Sequence, residues 1–314
     1  MKYLQNQIAG SRQTMSAAMA YSVVVWLLAG LIQEGWWIQA ALFVASAFLM
    51  MQLNNVNLLI RIYSRLVSVS FVVLSCAASF LFPSIEGGFI QLCFILSILS
   101  LFNIYQEQPV VGWGFYAFLF LSLASLAEIM LLWYLPLMWF LMLVTIHARG
   151  WRAITASVLG ILTPYWCALA WVLCSQGADL NIGRIVAHFE ALAGDVLYGF
   201  GTIDLQRLLT LGVVVTLGIV GGVHFVYKHF EDKYRVRQLY YSFIHIALYT
   251  AMLLVVFPSQ CDVWLRILIV AVSPLIGHFF ALTSTKATNI FFCVTAGIIL
   301  TLTLFNLWSY LSVF

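Results

Sequence analysis

The chain has 314 residues, of which 64% are hydrophobic and 8% charged, and its formal net charge is +3. A soluble domain carries about 25% charged residues and about 45–50% apolar ones, so the composition excludes a soluble globular protein. Its apolar runs are continuous, unlike the alternating pattern of membrane barrel strands. The composition therefore predicts an all-α membrane protein, in which helices satisfy their own backbone hydrogen bonds. No block of charge is long enough to predict nucleic-acid binding.

A membrane span needs about 20 apolar residues, and runs of this kind predict a polytopic bundle of about eleven transmembrane helices, within a range of 10–12. The first run is too long for the core of a signal peptide, so it is interpreted as a retained helix. Residues 1–314 form one integral membrane domain, and its one long connection is 175–207. The predicted helices, in chain order, are 15–33, 37–53, 66–83, 88–104, 110–127, 129–147, 152–174, 208–227, 239–257, 263–283 and 287–312.

The apolar stretch from Gly112 to Ile146 decides the count. As one helix it would run about 52 Å, against a hydrocarbon core of roughly 30 Å. Glu128 lies near its middle, and a hairpin turning at 127–129 places that carboxylate at the interface. The sequence therefore predicts two short helices here, whose length tilt or local thinning can accommodate.

The distribution of Lys and Arg orients the chain with its N-terminus in the cytoplasm and its C-terminus outside. Cytoplasmic loops of membrane proteins carry an excess of these residues. With eleven helices, all but three of the 14 basic residues fall inside, and the exceptions are Arg184, Arg207 and Arg266. Merging the hairpin would place the basic loop "YKHFEDKYRVR" outside. This pattern is typical of a multi-pass membrane protein whose loops alternate between the two sides.

The outer loop 175–207 is the first candidate site. Leu180, Ile185, Phe189, Leu192 and Val196 recur at helical spacing, which predicts an amphipathic helix lying in the interface. Its other face carries Arg184, His188 and Asp195. Arg184 suits a phosphate, and His188 or Asp195 suits acid–base catalysis. The alternative is a structural interfacial helix with a solvated polar face.

Three histidines form the second candidate site. His224, His245 and His278 lie on three successive predicted helices, roughly 5–9 Å from their cytoplasmic ends at the helical rise. Ionisable residues within a membrane are functional candidates, and three histidines can bind a metal or relay protons. The alternative is neutral histidines packed near the headgroups.

The run "SVLGILTPYW" at 157–166 is the third candidate. Pro164 lacks an N–H, and the hydroxyl of Thr163 can bond a carbonyl near the resulting gap. The run therefore predicts a kink, and Thr163, Pro164 and Tyr165 are candidate residues for a cavity beside it. A purely architectural kink is the alternative.

The same region carries a family resemblance. "FYAFLFLSLASL", a short turn, an apolar return helix and "ARGWRAITASVLGILTPYW" resemble an uncharacterised family of polytopic bacterial inner-membrane proteins, over roughly residues 115–166. The resemblance implies a multi-pass membrane fold and no known activity. The residues that match the recurrent positions of the family are Arg149, Arg152, Gly160, Leu162, Thr163, Pro164 and Tyr165.

Function is predicted only as a class. The sequence has no Walker-type loop, no GxGxxG, no HExxH and no GxSxG, and it identifies no cofactor. The best hypothesis is a protein that handles lipid-linked envelope or glycan precursors, in the manner of a transferase or polymerase, with membrane lipids and a lipid-linked substrate as partners. A secondary transporter or flippase and a non-catalytic subunit of an envelope complex are the alternatives.

Overall fold

In a computed structural model, the structure describes residues 3–105, 110–148, 150–174, 183, 186–193, 201 and 203–311. Within these ranges the chain is helical and contains no strand. Its α-helices are α1 (Leu4–Gly10), α2 (Thr14–Leu28), α3 (Trp37–Asn57), α4 (Leu66–Ala77), α5 (Ile85–Asn103), α6 (Val110–Ala127), α7 (Leu135–Phe140), α8 (Trp151–Cys174), α9 (Leu205–Lys228), α10 (Tyr234–Val256), α11 (Cys261–Leu282) and α12 (Lys286–Leu311).

Seven helical segments of the described chain are long and apolar enough to cross a membrane. They are Trp37–Asn57, Ile85–Asn103, Trp151–Cys174, Leu205–Glu231, Tyr234–Val256, Pro258–Leu282 and Lys286–Trp308. Many large apolar side chains on their surfaces are exposed, including Trp166 and Trp171. A bilayer is a solvent for such surfaces, and the architecture is that of a multi-pass membrane protein.

The helix α11 is the centre of the bundle. In the most apolar 18-residue stretch of Pro258–Leu282, 94% of the residues are buried, whereas in that of Trp151–Cys174 only 17% are buried. It packs against α1, α4, α5, α9 and α10. Close packing on α9 depends on Gly221, because a Cβ atom there would lie 2.7 Å from the carbonyl carbon of Leu275. Polar groups on α11 are therefore held rigidly by surrounding helices.

A short N-terminal helix, α1, forms where the sequence predicts only a polar stretch. Its Gln5 side chain donates hydrogen bonds to the carbonyl oxygens of Phe280 (2.7 Å) and Thr283 (3.1 Å). These bonds join α1 to the end of α11. Local sequence could not predict them, since their partners lie more than 270 residues away.

The chain reverses direction at Glu128, where the sequence places a hairpin. α6 ends at Ala127, Glu128 has an extended backbone, and the rings of Phe118 and Trp139 stack at 6.0 Å across the turn. The return segment differs from the single helix predicted over 129–147. It consists of a 3₁₀ segment (Ile129–Tyr134), α7 and a π-helical segment (Leu141–Thr145).

The helices α6 and α8 approach each other closely at Gly160. A Cβ atom on Gly160 would lie 2.4 Å from the carbonyl oxygen of Phe115. Nearby, the hydroxyl of Ser122 donates to the carbonyl oxygen of Ile161 at 2.7 Å. Glycine thus allows two backbones to meet, as small residues do between membrane helices.

The two ends of the bundle differ in charge. The basic end gathers the α3–α4 connection, the α9–α10 connection and the turn after α11, where Arg61 pairs with Glu231 at 2.5 Å. The starts of α5, α9 and α11 lie together at the opposite end. There, Arg207 of α9 pairs with Asp262 of α11 at 2.7 Å. We define the basic end by Arg61, Arg65, Lys228, Lys233, Arg235 and Arg237.

Candidate functional site at the basic end

A polar pocket of about 220 Å³ opens at the basic end. Its walls come from the last turns of α9 and α11, the α9–α10 connection, the turn 283–285 and the α3–α4 connection. Gln5 of α1 holds the turn in place, because its side chain also donates to the hydroxyl of Thr283 at 2.8 Å. We call this the basic-end pocket, and its lining residues are Arg61, His224, Lys228, Glu231, Asp232, His278, Leu282, Thr283, Ser284 and Thr285.

A buried imidazole–carboxylate pair forms one wall of the pocket. The Nε2–H of His278 donates to Oδ2 of Asp232 at 3.0 Å, and the two side chains are 1% and 3% exposed. The rings of Tyr240 and Phe225 lie 4.7 Å and 5.3 Å from the imidazole. The Nδ1 atom is buried and has no hydrogen-bond partner among the described residues. The pair therefore positions the α9–α10 connection against α11.

One basic side chain of the pocket, Lys228, forms no ion pair among the described residues. Glu231 is paired with Arg61, and Asp232 is paired with His278. Within the described ranges no carboxylate lies within 4.0 Å of the Lys228 ammonium group. His224 lies beside it, with its ring 6.1 Å from that of His278. Lys228 is therefore the charged side chain of the pocket that can meet an anionic group without breaking an existing ion pair.

The turn 283–285 adds neutral hydrogen-bonding groups to the pocket. The backbone N–H of Thr288 donates to the side chain of Thr285 at 3.2 Å, which caps the start of α12. The first backbone N–H groups of a helix attract anions, and phosphates are commonly bound there. A helix of 26 residues thus begins at the edge of the pocket.

An apolar cavity of about 140 Å³ lies next to the pocket, between α4, α11 and α12. Four phenylalanines separate the two spaces. Phe279 lies 4.9 Å from His224 and 5.8 Å from Phe291. Phe280 lies 5.0 Å from Phe292, and both line the cavity. The polar pocket at the helix end and the apolar cavity farther along the same helices are thus separate spaces with aromatic rings between them.

The structure brings together two of the three predicted histidines. His224 and His278 are neighbours in the pocket, whereas His245 packs its ring 5.3 Å from that of Phe140. In the part of the chain that the structure describes, no group of three His, Cys, Asp or Glu residues has the geometry to hold a metal ion. Asp232, Lys228 and Arg61 also line the pocket. They could not be singled out as site residues from the sequence, because other charges in the loops have the same local context.

The candidate residues of the long loop are described only in part. Arg184 and Asp195 lie outside the described residues. The Nε2–H of His188 donates to the backbone carbonyl oxygen of Ser125 at 3.1 Å, near the end of α6. The neighbouring Phe189 lies 5.5 Å from the ring of Tyr165. His188 and Phe189 thus join the loop to the end of α6 and to the second half of α8.

The third candidate group lies in the contact between α6 and α8. The hydroxyl of Tyr165 bonds that of Ser125 at 2.7 Å. The hydroxyl of Thr163 donates to the carbonyl oxygen of Leu159 in its own helix at 2.7 Å. Pro164 is buried within α8, which continues through it. These contacts make the run a packing element between two helices.

Glu128 gives this region a predicted pH dependence. Burial raises the pKa of Glu128 above its usual value, despite opposing effects from the Met130 backbone N–H and His188. Since the folded-state pKa is raised, stability is highest below the usual carboxyl pKa and falls as pH rises through the folded-state value. We expect Glu128→Gln to remove this decline, as measured by thermal unfolding between about pH 4 and pH 8. Glu34→Gln, at an exposed position, should retain the wild-type profile; an unchanged profile in Glu128→Gln would contradict the assignment.

Comparisons with known proteins do not identify the chain. No protein-family model, no curated protein and no solved structure matches it.

Proposed function

We propose that eleven apolar helices cross a bacterial inner membrane, with the basic end in the cytoplasm. Four shorter apolar segments accompany the seven long ones: Thr14–Leu28, Leu66–Ala77, Val111–Ala127 and Ile129–Thr145. Eleven spans put the two termini on opposite sides of the membrane, and the positive-inside rule then favours a cytoplasmic N-terminus. The helical residues 186–190 and the 3₁₀ turn Ala191–Ala193 then belong to an interfacial segment on the outer side.

We propose further that the protein handles lipid-linked precursors of the cell envelope and binds their phosphate group in the basic-end pocket. One observation carries this proposal: a pocket in which Lys228 has no ion-pair partner lies one layer of phenylalanine rings away from an apolar cavity within the helices. An amphiphile with an anionic headgroup and a hydrocarbon chain has the matching distribution of charge and apolar surface. A soluble metabolite would leave the apolar cavity unused.

Each part of the pocket has a role in this proposal. Lys228 and the start of α12 bind the phosphate. Arg61 adjusts its pairing with Glu231 to approach the headgroup, which is inexpensive because both side chains are about 40% exposed. His224 is the group placed to move a proton during transfer of the headgroup. His278 and Asp232 keep the pocket wall in position.

Binding of a polyprenyl phosphate tests the proposal. We expect Lys228→Gln to weaken binding by about tenfold, because it removes one charge-assisted contact of about 1.5 kcal/mol. The measurement is native mass spectrometry of the full-length protein in nanodiscs of zwitterionic lipid, titrated with polyprenyl phosphate. The uncharged polyprenol should bind more weakly than the phosphate to the wild-type protein.

The matched control is Lys233→Gln. Lys233 lies in the same connection, at the N-cap of α10, and does not line the pocket. Equal losses for both variants would show only a general effect of positive charge at the membrane surface and would contradict the proposed site. With a labelled lipid-linked sugar, transfer of the sugar supports a transferase, and unaltered lipid in the other leaflet supports a flippase.

A further inference from the structure

A third, smaller cavity lies toward the opposite end of the bundle, where Arg266 and Ile269 of α11 line it. It is lined by the end of α2, the starts of α3, α5 and α11, and the end of α4. The volume of the cavity is about 20 Å³. That is enough for one particle of the size of a water molecule.

The charged group in this cavity is the guanidinium of Arg266. Arg266 is 7% exposed and donates to the backbone carbonyl oxygen of Leu81. Its guanidinium lies against Gly87, where a Cβ atom would come within 2.5 Å of Nε. Among the described residues no carboxylate lies within 4.0 Å of this cation, and the nearby Asp262 already accepts hydrogen bonds from Arg207 at 2.7 Å and 3.1 Å.

Two further donors in the cavity wall have no acceptor. Trp26 is 4% exposed, and its indole N–H is buried without a hydrogen-bond partner among the described residues. An indole N–H can only donate. Ser75 is 7% exposed, and its hydroxyl is likewise buried without a partner. Buried polar groups are nearly always hydrogen-bonded, so these two require a group that accepts.

The charge of Arg266 and the size of the cavity together indicate which class of ion the cavity suits. A buried cation without a counter-charge is costly, and unpaired N–H and O–H donors surround the same small space. We propose that this cavity binds one small monovalent inorganic anion, of the halide class, between Arg266, Trp26 and Ser75. The site is distinct from the basic-end pocket and does not depend on the proposed function.

Anion-dependent stability tests this site. The full-length protein in detergent is titrated with sodium bromide against sodium gluconate at constant ionic strength, and its Tm is recorded. A specific site raises the Tm with a saturable dependence on bromide. We expect Arg266→Met to abolish this dependence. Trp26→Phe and Ser75→Ala should each raise the apparent Kd for bromide about tenfold, as expected for loss of one hydrogen bond to a charged group.

Arg207→Gln is the matched control. Arg207 lies at the same end but is paired with Asp204 and Asp262 and does not line the cavity, so its variant should keep the bromide dependence. If Arg266→Met does not fold, the two milder variants decide the result. In crystals grown with bromide, anomalous density should lie within hydrogen-bonding distance of Arg266. A water molecule there, or equal Tm values in bromide and gluconate, would overturn the proposal.

Discussion

Replacing Asp232 with alanine is expected to lower the free energy of unfolding by about 3 kcal/mol, the largest effect among single changes at the basic end. The variant leaves the buried Nε2–H of His278 without an acceptor, and removing one partner of a buried polar pair costs far more than the pair contributes. Asp232→Asn keeps an acceptor oxygen and should cost about 1 kcal/mol. The measurement is reversible unfolding in mixed micelles with increasing denaturing detergent.

The adjacent residue provides the control for this prediction. Glu231 also forms an ion pair, but its side chain is 38% exposed and that of Arg61 is 43% exposed. Exposed pairs contribute at most about 1 kcal/mol. Glu231→Ala should therefore change stability little. Equal losses from Glu231→Ala and Asp232→Ala would mean that burial does not distinguish the two pairs, contrary to the structure.

Replacing Gly160 with alanine is expected to destabilise the contact between α6 and α8 by about 2 kcal/mol. The added methyl group would lie 2.4 Å from the carbonyl oxygen of Phe115 and 3.1 Å from the backbone nitrogen of Leu119. Both are backbone atoms and cannot move aside as a flexible side chain can, so the helices must separate. Overpacking of this kind costs about 1–3 kcal/mol, which the same unfolding measurement detects.

Gly114 is the matched control for this prediction, because it lies on the other helix of the same contact. A Cβ atom there would lie 3.8 Å from the carbonyl oxygen of Ala153, an ordinary van der Waals distance. Gly114→Ala should therefore be tolerated. If the two substitutions destabilised the protein equally, the loss would reflect glycine replacement in general and not close approach at Gly160.

The pocket proposed to bind a lipid phosphate lies at the opposite end of the bundle from the site that the sequence favoured. The sequence favoured the long loop, where Arg184, His188 and Asp195 share one predicted helical face. In the described part of that loop, His188 bonds the carbonyl oxygen of Ser125 and is occupied by packing. At the basic end, Lys228 without an ion-pair partner and the nearby apolar cavity are the two features that the proposal assigns to a phosphate-bearing lipid.

Several helix bounds could be predicted because their causes are local. The apolar run 110–127 coincides with α6 (Val110–Ala127), and a carboxylate at Glu128 ends it. Other bounds could not be predicted. The run 66–83 is interrupted after Ala77, and the run 129–147 divides into 3₁₀, α and π segments. Tertiary contacts decide these interruptions, since the apolar composition continues through them.

The sequence by itself determined the class of the protein, because about 20 apolar residues in a row dissolve in lipid whatever surrounds them. It also marked His224 and His278 as unusual, because ionisable residues are costly within a membrane. Only the tertiary structure decided that His278 bonds Asp232, that His245 lies apart, and that α11 is the buried centre. Runs of similar apolar composition do not specify which faces meet; close approach at glycines and buried polar pairs select that arrangement, and their partners are far apart in the chain.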